Sequence, residues 1–186
     1  AVAGLLRLPW LDIATAGVIG LLIGLVDIAA QQRPRLQEAA DAISGLVAGT
    51  VAILVSNLVA PLNLNTVIIA SLIVLLPGMS LTNAVNELTS RHLVSGTARF
   101  AGALTTILKL TIGTAIALTV ANLAGLQPEV RALRPQPDVV MWAALLVGAY
   151  AFAVLFRAHR RDYPLVMLAA ISGYLISRHG GEAFGP

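Results

Sequence analysis

The sequence predicts an all-α membrane protein, a polytopic bundle of transmembrane helices in which one helix is broken at a Pro-Gly pair. Hydrophobic residues make up 58% of the 186 residues and charged residues 11%, against about 25% charged in soluble domains. Long apolar runs alternate with short connections that hold most of the arginines, as in proteins that cross a bilayer several times. One apolar run stops at Pro77-Gly78 and continues as a polar segment.

Six helices are predicted in chain order, after a short N-terminal run that resembles the end of another helix. The first follows a turn at residues 9–12, the third is the broken one, and the last begins at Pro164 and fades near Ser177. Their predicted ranges are about 13–30, 39–59, 64–88, 100–123, 139–156 and 164–177. Because the chain opens on Ala1 rather than Met, we expect it to be a fragment of a longer protein.

Small residues recur three or four positions apart in three of these helices. Such spacing lets helix backbones approach closely in a membrane, so tight packing is predicted. The residues are Gly17, Gly20 and Gly24 in the first helix, Gly45 and Gly49 in the second, and Gly113, Ala117 and Ala121 in the fourth.

Several classes of function have no support in the sequence. Cysteine is absent, the three histidines lack metal-ligand spacing, and no nucleophile or phosphate-loop motif occurs. We therefore predict no enzyme, no cofactor and no metal. The net charge of +3 comes from arginines in the connections, which predicts lipid rather than nucleic acid as the partner. The arginine-rich connections are expected on the cytoplasmic side.

The Pro-Gly break is the main candidate for a solute site. Pro77 has no N–H and clashes with the preceding turn, while Gly78 accepts unusual backbone angles, so the carbonyls of Ile73 and Val74 should lose their partners. Broken helices persist at membrane depth where protein or water supplies the missing bonds. We therefore expect the break to face a hydrated cavity. The alternative is an ordinary helix end, with Ser80 capping a short surface helix.

The segment that begins at Leu76, LPGMSLTNAVNEL, and the group Ser95-Gly96-Thr97-Ala98-Arg99 resemble the bacterial threonine/serine exporter family. In that family a Pro-Gly pair, an asparagine, an acidic residue and a Gly-x-Ala-Arg group recur with this spacing. Glu87 stands where aspartate is more usual, and Arg91 stands where glycine is usual. The resemblance implies proton-coupled export of small hydroxy amino acids by a protein with a cytoplasmic N-terminal domain; some relatives are associated with dicarboxylate export.

The resemblance also implies a division of the chain. Residues 1–126 would be part of the first membrane half, without its soluble domain, and residues 127–138 a connection. Residues 139–186 would begin the second half. The segments Phe152–Phe156 and Tyr163-Pro164 resemble the opening of that half. The partners implied are the remaining half of the transporter or further copies of the chain, in the inner membrane.

Two ionisable residues lie within apolar helices. Lys109 is predicted to face the bundle interior, either as a substrate-binding group or as a structural partner of Asp27 or Glu87. Asp27, near the end of the first helix, is either a proton-coupling carboxylate or an interfacial residue without a role.

The polar segment supplies the other candidates. Asn83, Asn86 and Ser90 share one helical face, and with Ser80 they could bind a zwitterionic solute near a helix N-terminus. Glu87 could hold an ammonium group or carry a proton. Arg99, expected to begin the fourth helix, could bind a carboxylate or anchor the helix at headgroups.

These residues predict a proton-coupled secondary transporter that exports threonine or serine. A dicarboxylate exporter, in which Arg99 and Lys109 neutralise two carboxylates, is the rival within transport. A membrane subunit that only scaffolds a partner is the rival outside it.

Overall fold

A computed structural model describes residues 2–126 and 137–184 of the chain. Throughout these two ranges the regular structure is helical, which confirms the predicted fold class. The α-helices are α1 Val2–Leu5, α2 Trp10–Gln31, α3 Pro34–Leu58, α4 Leu64–Leu72, α5 Gly78–Thr89, α6 Leu93–Leu123, α7 Asp138–Leu155 and α8 Tyr163–Phe184. The connection predicted at 127–138 lies outside the described residues up to position 136.

Four helices within the described ranges are long and apolar enough to cross a membrane: α2, α3, α6 and α7. The pair formed by Leu64–Leu75 and Gly78–Thr89 passes the same criterion but is bent by 61°. The chain is thus a multi-pass membrane protein, and its break occurs at the predicted pair.

Most helices begin earlier than the hydropathy pattern predicts. α2 begins at Trp10 rather than after residue 12, and α3 begins at Pro34, five residues before the predicted start. A proline is well suited to the first helical position because its missing N–H has no partner there. α6 begins at Leu93 rather than Phe100, and the hydroxyl of Thr97 donates to the Leu93 carbonyl, so this polar residue fits a helix. α8 continues past Ser177 to Phe184.

The chain divides into two compact units. One contains residues 1–13 and 133–186, where α1 packs on α7 and α7 on α8. The other contains residues 14–132, where α3 packs on α6 and α4, and α5 packs on α6.

The packing of α3 on α6 depends on glycine. A Cβ atom at Gly45 would overlap the Leu110 carbonyl oxygen, and one at Gly113 would overlap the Ala42 carbonyl oxygen. At Gly49 the added atom would lie 2.6 Å from the Ala117 Cβ. The predicted close approach of these two helices is therefore confirmed.

The glycines of α2 behave differently. A Cβ atom at Gly17, Gly20 or Gly24 would meet no atom within 4 Å. The prediction that these glycines pack tightly against another helix is therefore wrong within the described part of the chain, because no backbone of that part lies next to them.

α3 and α6 run in the same direction, because Lys109 lies beside Glu38 and Gly113 beside Ala42. Lys109 comes sixteen residues after the start of α6, whereas Glu38 comes four residues after the start of α3. At about 1.5 Å per residue, α6 therefore extends roughly 18 Å beyond the start of α3. α5 packs on α6 within this extension, since Leu88 contacts Gly96.

Three helices, α1, α5 and α7, are each followed two residues later by an arginine with left-handed backbone geometry. These are Arg7, Arg91 and Arg157, with φ values of 54°, 64° and 50°. After α5, the Arg91 N–H donates to the Leu88 carbonyl and the His92 N–H to the Glu87 carbonyl. This is the helix ending that usually carries glycine, as Gly125 does after α6 with a φ of 72°. The glycine that the family resemblance leads us to expect at position 91 thus has a conformational reason.

Candidate functional site

The break lies between a short 3-10 turn and α5. The turn covers Ile73–Leu75, Leu76 is extended with φ −65° and ψ 129°, and α5 begins at Gly78. Extended geometry is what a following proline imposes, since its ring clashes with a helical preceding residue. Pro77 therefore ends one helix and precedes the first turn of the next.

Three backbone hydrogen bonds are made locally at the break. The Leu76 N–H donates to the Ile73 carbonyl at 3.2 Å, and the Leu81 N–H donates to the Pro77 carbonyl at 2.9 Å. The expectation that Ile73 loses its partner was therefore wrong, because the 3-10 turn supplies one. The Gly78 N–H, which would serve Val74 in an unbroken helix, donates to Leu76 instead at 2.8 Å.

Gly78 does not provide the unusual backbone angles that we expected of it. Its φ lies outside the left-handed region, it begins a regular helix, and an added Cβ would meet nothing within 4 Å. The proline alone accounts for the interruption.

The groove that the described residues form beside the break is apolar, unlike the hydrated cavity that we expected there. Leu76 and Met79 are exposed, and the groove beside the break, about 180 Å³ in volume, is lined mainly by apolar side chains of α4 and α6. The predicted polar residues do not line it. The eight residues that line the groove are Ile68, Ile69, Leu72, Leu76, Ile107, Leu110, Thr111 and Thr114.

The alternative role for Ser80 also fails. The residue that precedes α5 is Pro77, no side chain caps the helix, and Ser80 is its third residue. Ser80 lies half-buried.

Glu87 and Arg99 form an ion pair between α5 and α6. Arg99 Nε donates to Glu87 Oε1 at 3.0 Å, and Arg99 Nη2 lies 3.0 Å from the same oxygen. Glu87 Oε2 is buried and has no hydrogen-bond partner among the described residues, although the Ser95 hydroxyl also interacts with this carboxyl group. We expected Arg99 to begin α6, but it lies in the second turn of that helix. Its pairing with Glu87 there holds α5 against α6.

Asn83, Asn86 and Ser90 are exposed. The opposite face of α5 packs on α6 through Leu88, and Ala84 on α5 is fully buried. The amides thus remain accessible, while Ser90 ends the helix as its C-cap. The described residues bring Glu87 and Arg99 together, but they do not bring these amides to Lys109.

Lys109 bonds to a backbone carbonyl instead of a carboxylate. Its Nζ donates to the Glu38 carbonyl at 2.8 Å. The alternative in which Lys109 pairs with Asp27 or Glu87 is wrong within the described residues, because Asp27 accepts from Gln31 at 3.3 Å and Glu87 pairs with Arg99. Asp27 is exposed near the end of α2.

The sequence reasoning missed Ser95 and Gly96. Ser95 interacts with Glu87, and Gly96 allows close contact with Leu88. Both belong to the Ser-Gly-Thr-Ala-Arg group that the family resemblance had marked. The sequence did not show, however, that this group contacts α5 on the other side of the turn. No group of three or more His, Asp or Glu side chains in the described ranges is placed to hold a metal.

The family described as "Putative threonine/serine exporter" matches residues 1–121. The matched range includes the break, α5, and α6 as far as Ala121. Neither a curated protein nor a solved structure matches the chain.

Proposed function

The chain belongs to the threonine/serine exporter family, and from this premise we propose that it is part of a proton-coupled secondary transporter that exports threonine or serine across the inner membrane. The observation that carries the proposal is the family match, which spans the broken helix and the helix that follows it. A family of exporters favours transport over catalysis.

The exposed amides of Asn83 and Asn86 are the groups that we assign to the solute. Amide oxygens can accept from an ammonium or hydroxyl group and amide nitrogens can donate to a carboxylate, so the pair suits a zwitterion with a hydroxyl side chain. Their exposure leaves room for a covering surface, which the remaining half of the transporter or another copy of the chain would supply. Ser80 would line the same site.

Glu87 is the residue that we assign to proton coupling, with Asp27 as a second candidate. A proton on Glu87 would weaken its ion pair with Arg99 and loosen α5 from α6. The angle between α4 and α5 could then change at Pro77, which would open the site to one side or the other. Arg99 would bind a solute carboxylate only after release from Glu87, and Lys109 only after release from Glu38.

Flux through proteoliposomes tests the proposal. The full protein that contains this chain is reconstituted with labelled serine inside, and an acidic exterior is imposed. We expect proton-driven serine efflux, at least tenfold slower in an Asn83→Ala/Asn86→Ala variant. A Thr82→Ala/Thr89→Ala variant is the matched control, because these exposed α5 hydroxyls donate to their own helix.

The rivals predict other outcomes. A dicarboxylate exporter would release labelled succinate rather than serine, and its flux would depend on Arg99 and Lys109. A scaffold subunit would leave flux unchanged when Asn83, Glu87 or Lys109 is replaced.

A further inference from the structure

The connection between α7 and α8 concentrates positive charge. This basic turn, residues 157–162, contains Arg157, Arg160 and Arg161, with Asp162 as its one acidic residue. All three arginines are exposed. None of these three guanidinium groups forms an ion pair with a carboxylate of the described residues.

The backbone of the basic turn is held by hydrogen bonds. The Arg157 N–H donates to the Val154 carbonyl at 3.0 Å and the Ala158 N–H to the Ala153 carbonyl at 3.1 Å. The Asp162 N–H donates to the His159 carbonyl at 2.7 Å. His159 Nδ1 also faces the Arg161 N–H, at 3.5 Å. The backbone that carries the three guanidinium groups is therefore held in one conformation by these hydrogen bonds.

Aromatic rings adjoin the basic turn on the apolar side. Phe152 stacks on Phe156 with ring centroids 5.9 Å apart, and Tyr150 meets Tyr163 edge-on at 5.8 Å. Leu165, at the start of α8, is exposed. Rings and apolar side chains next to cationic groups are typical of the membrane–water boundary, where rings lie at headgroup level.

We propose that the basic turn is a binding site for the phosphate headgroup of an anionic phospholipid. The planar guanidinium donates two parallel hydrogen bonds to a phosphate, and three such groups on one turn exceed what a single exposed charge contributes. The exposed rings and leucine favour a lipid over a soluble phosphate, because they would contact the acyl chains of a lipid and nothing apolar in a soluble ion.

The connection between α2 and α3 offers a matched control. Arg33 lies in it and Arg35 is the second residue of α3; both are exposed, and like the basic turn this connection joins two apolar helices. It has two glutamines before it and no aromatic residue within its sequence. Loss of two arginines there removes the same charge without altering the proposed site.

Native mass spectrometry of the full chain in neutral detergent, with phosphatidylglycerol or phosphatidylcholine added, tests the proposal. Each arginine near an anionic surface strengthens binding about fivefold, so Arg160→Gln/Arg161→Gln should weaken phosphatidylglycerol binding about 25-fold. Arg33→Gln/Arg35→Gln should change it less than about twofold. Phosphatidylcholine should bind all variants alike, and Arg160→Lys/Arg161→Lys should restore most of the binding.

Three results would overturn the proposal. Unchanged phosphatidylglycerol binding in the Arg160/Arg161 glutamine variant would remove the site. An equal loss in both glutamine variants would mean that net charge alone attracts the lipid. Competition by millimolar inorganic phosphate would identify a soluble anion as the ligand. None of these measurements depends on transport, so the proposed export function can fail or hold independently.

Discussion

Two helices carry the same five-residue pattern of two glycines separated by three larger residues, yet only one uses it for packing. In α3 the pair is Gly45 and Gly49, and α6 atoms lie where their side chains would be: the Leu110 carbonyl oxygen at Gly45 and the Ala117 Cβ at Gly49. In α2 the pair is Gly20 and Gly24, and no atom lies within 4 Å of either added Cβ. A glycine pair therefore permits close approach but does not produce it.

The difference lies in the partner helix. α6 presents Gly113, Ala117 and Ala121 at a spacing of four, and all three are buried. Small residues on both helices allow main-chain atoms to meet, which gives van der Waals contact that lipid tails cannot match. α2 instead presents exposed large side chains beside its glycines, among them Leu21 and Leu25.

The largest effect is expected from adding a methyl group where α3 meets α6. Gly45→Ala or Gly113→Ala places a Cβ on a carbonyl oxygen, and such overpacking costs about 1–3 kcal/mol. Equilibrium unfolding of the purified chain in detergent measures the loss. Unchanged stability in both variants would mean that the two helices are not in backbone contact.

A smaller loss of stability is expected from Lys109→Met, which tests the side-chain hydrogen bond between the same two helices. The variant keeps much of the side-chain length but removes the bond from Nζ to the Glu38 carbonyl, which should cost about 1 kcal/mol. The same unfolding assay applies. If the variant is more stable than the original chain, the ammonium is held there for transport rather than for packing.

A gain of about 1 kcal/mol is expected from Arg91→Gly, since a non-glycine residue with left-handed geometry is strained. Gly125→Ala supplies the opposite test at the equivalent position after α6, where destabilisation is expected. Both are compared by thermal unfolding. A loss in the Arg91 variant would show that its guanidinium contributes more than the backbone strain costs.

The smallest effect is expected in α2. Gly20→Ala meets open space, so helix propensity alone should raise stability by about 0.5–1 kcal/mol. The unfolding midpoint and the oligomeric state are both measured. A loss as large as that of Gly45→Ala would reveal a helix from another chain, or from outside the described residues, against this face.

The helices and the break could be predicted because their causes are local. A proline forces Leu76 into an extended conformation whatever surrounds it, and hydropathy identifies the apolar runs. Helix starts were misplaced where polar residues join the helix, as Thr97 does through its hydroxyl bond to Leu93.

The candidate site was less predictable because its contacts join distant positions. The pairing of Glu87 with Arg99 depends on the turn at Arg91, which brings α5 back along α6. Lys109 reaches Glu38, which is 71 positions away, and nothing near Lys109 in the sequence indicates that partner. The exposure of Asn83 and Asn86 depends likewise on which face of α5 meets α6.

The extension of α6 beyond the start of α3 affects where a transported solute would be dehydrated. If Arg33 marks the edge of the hydrocarbon, the exposed Asn83 and Asn86 lie in water outside the bilayer. Under the proposed function an amino acid would then meet them with its hydration shell largely intact. Under the same proposal the costly dehydration step would come deeper, near the level of Lys109, so the residues that select a substrate and those that limit its rate of passage would be different ones.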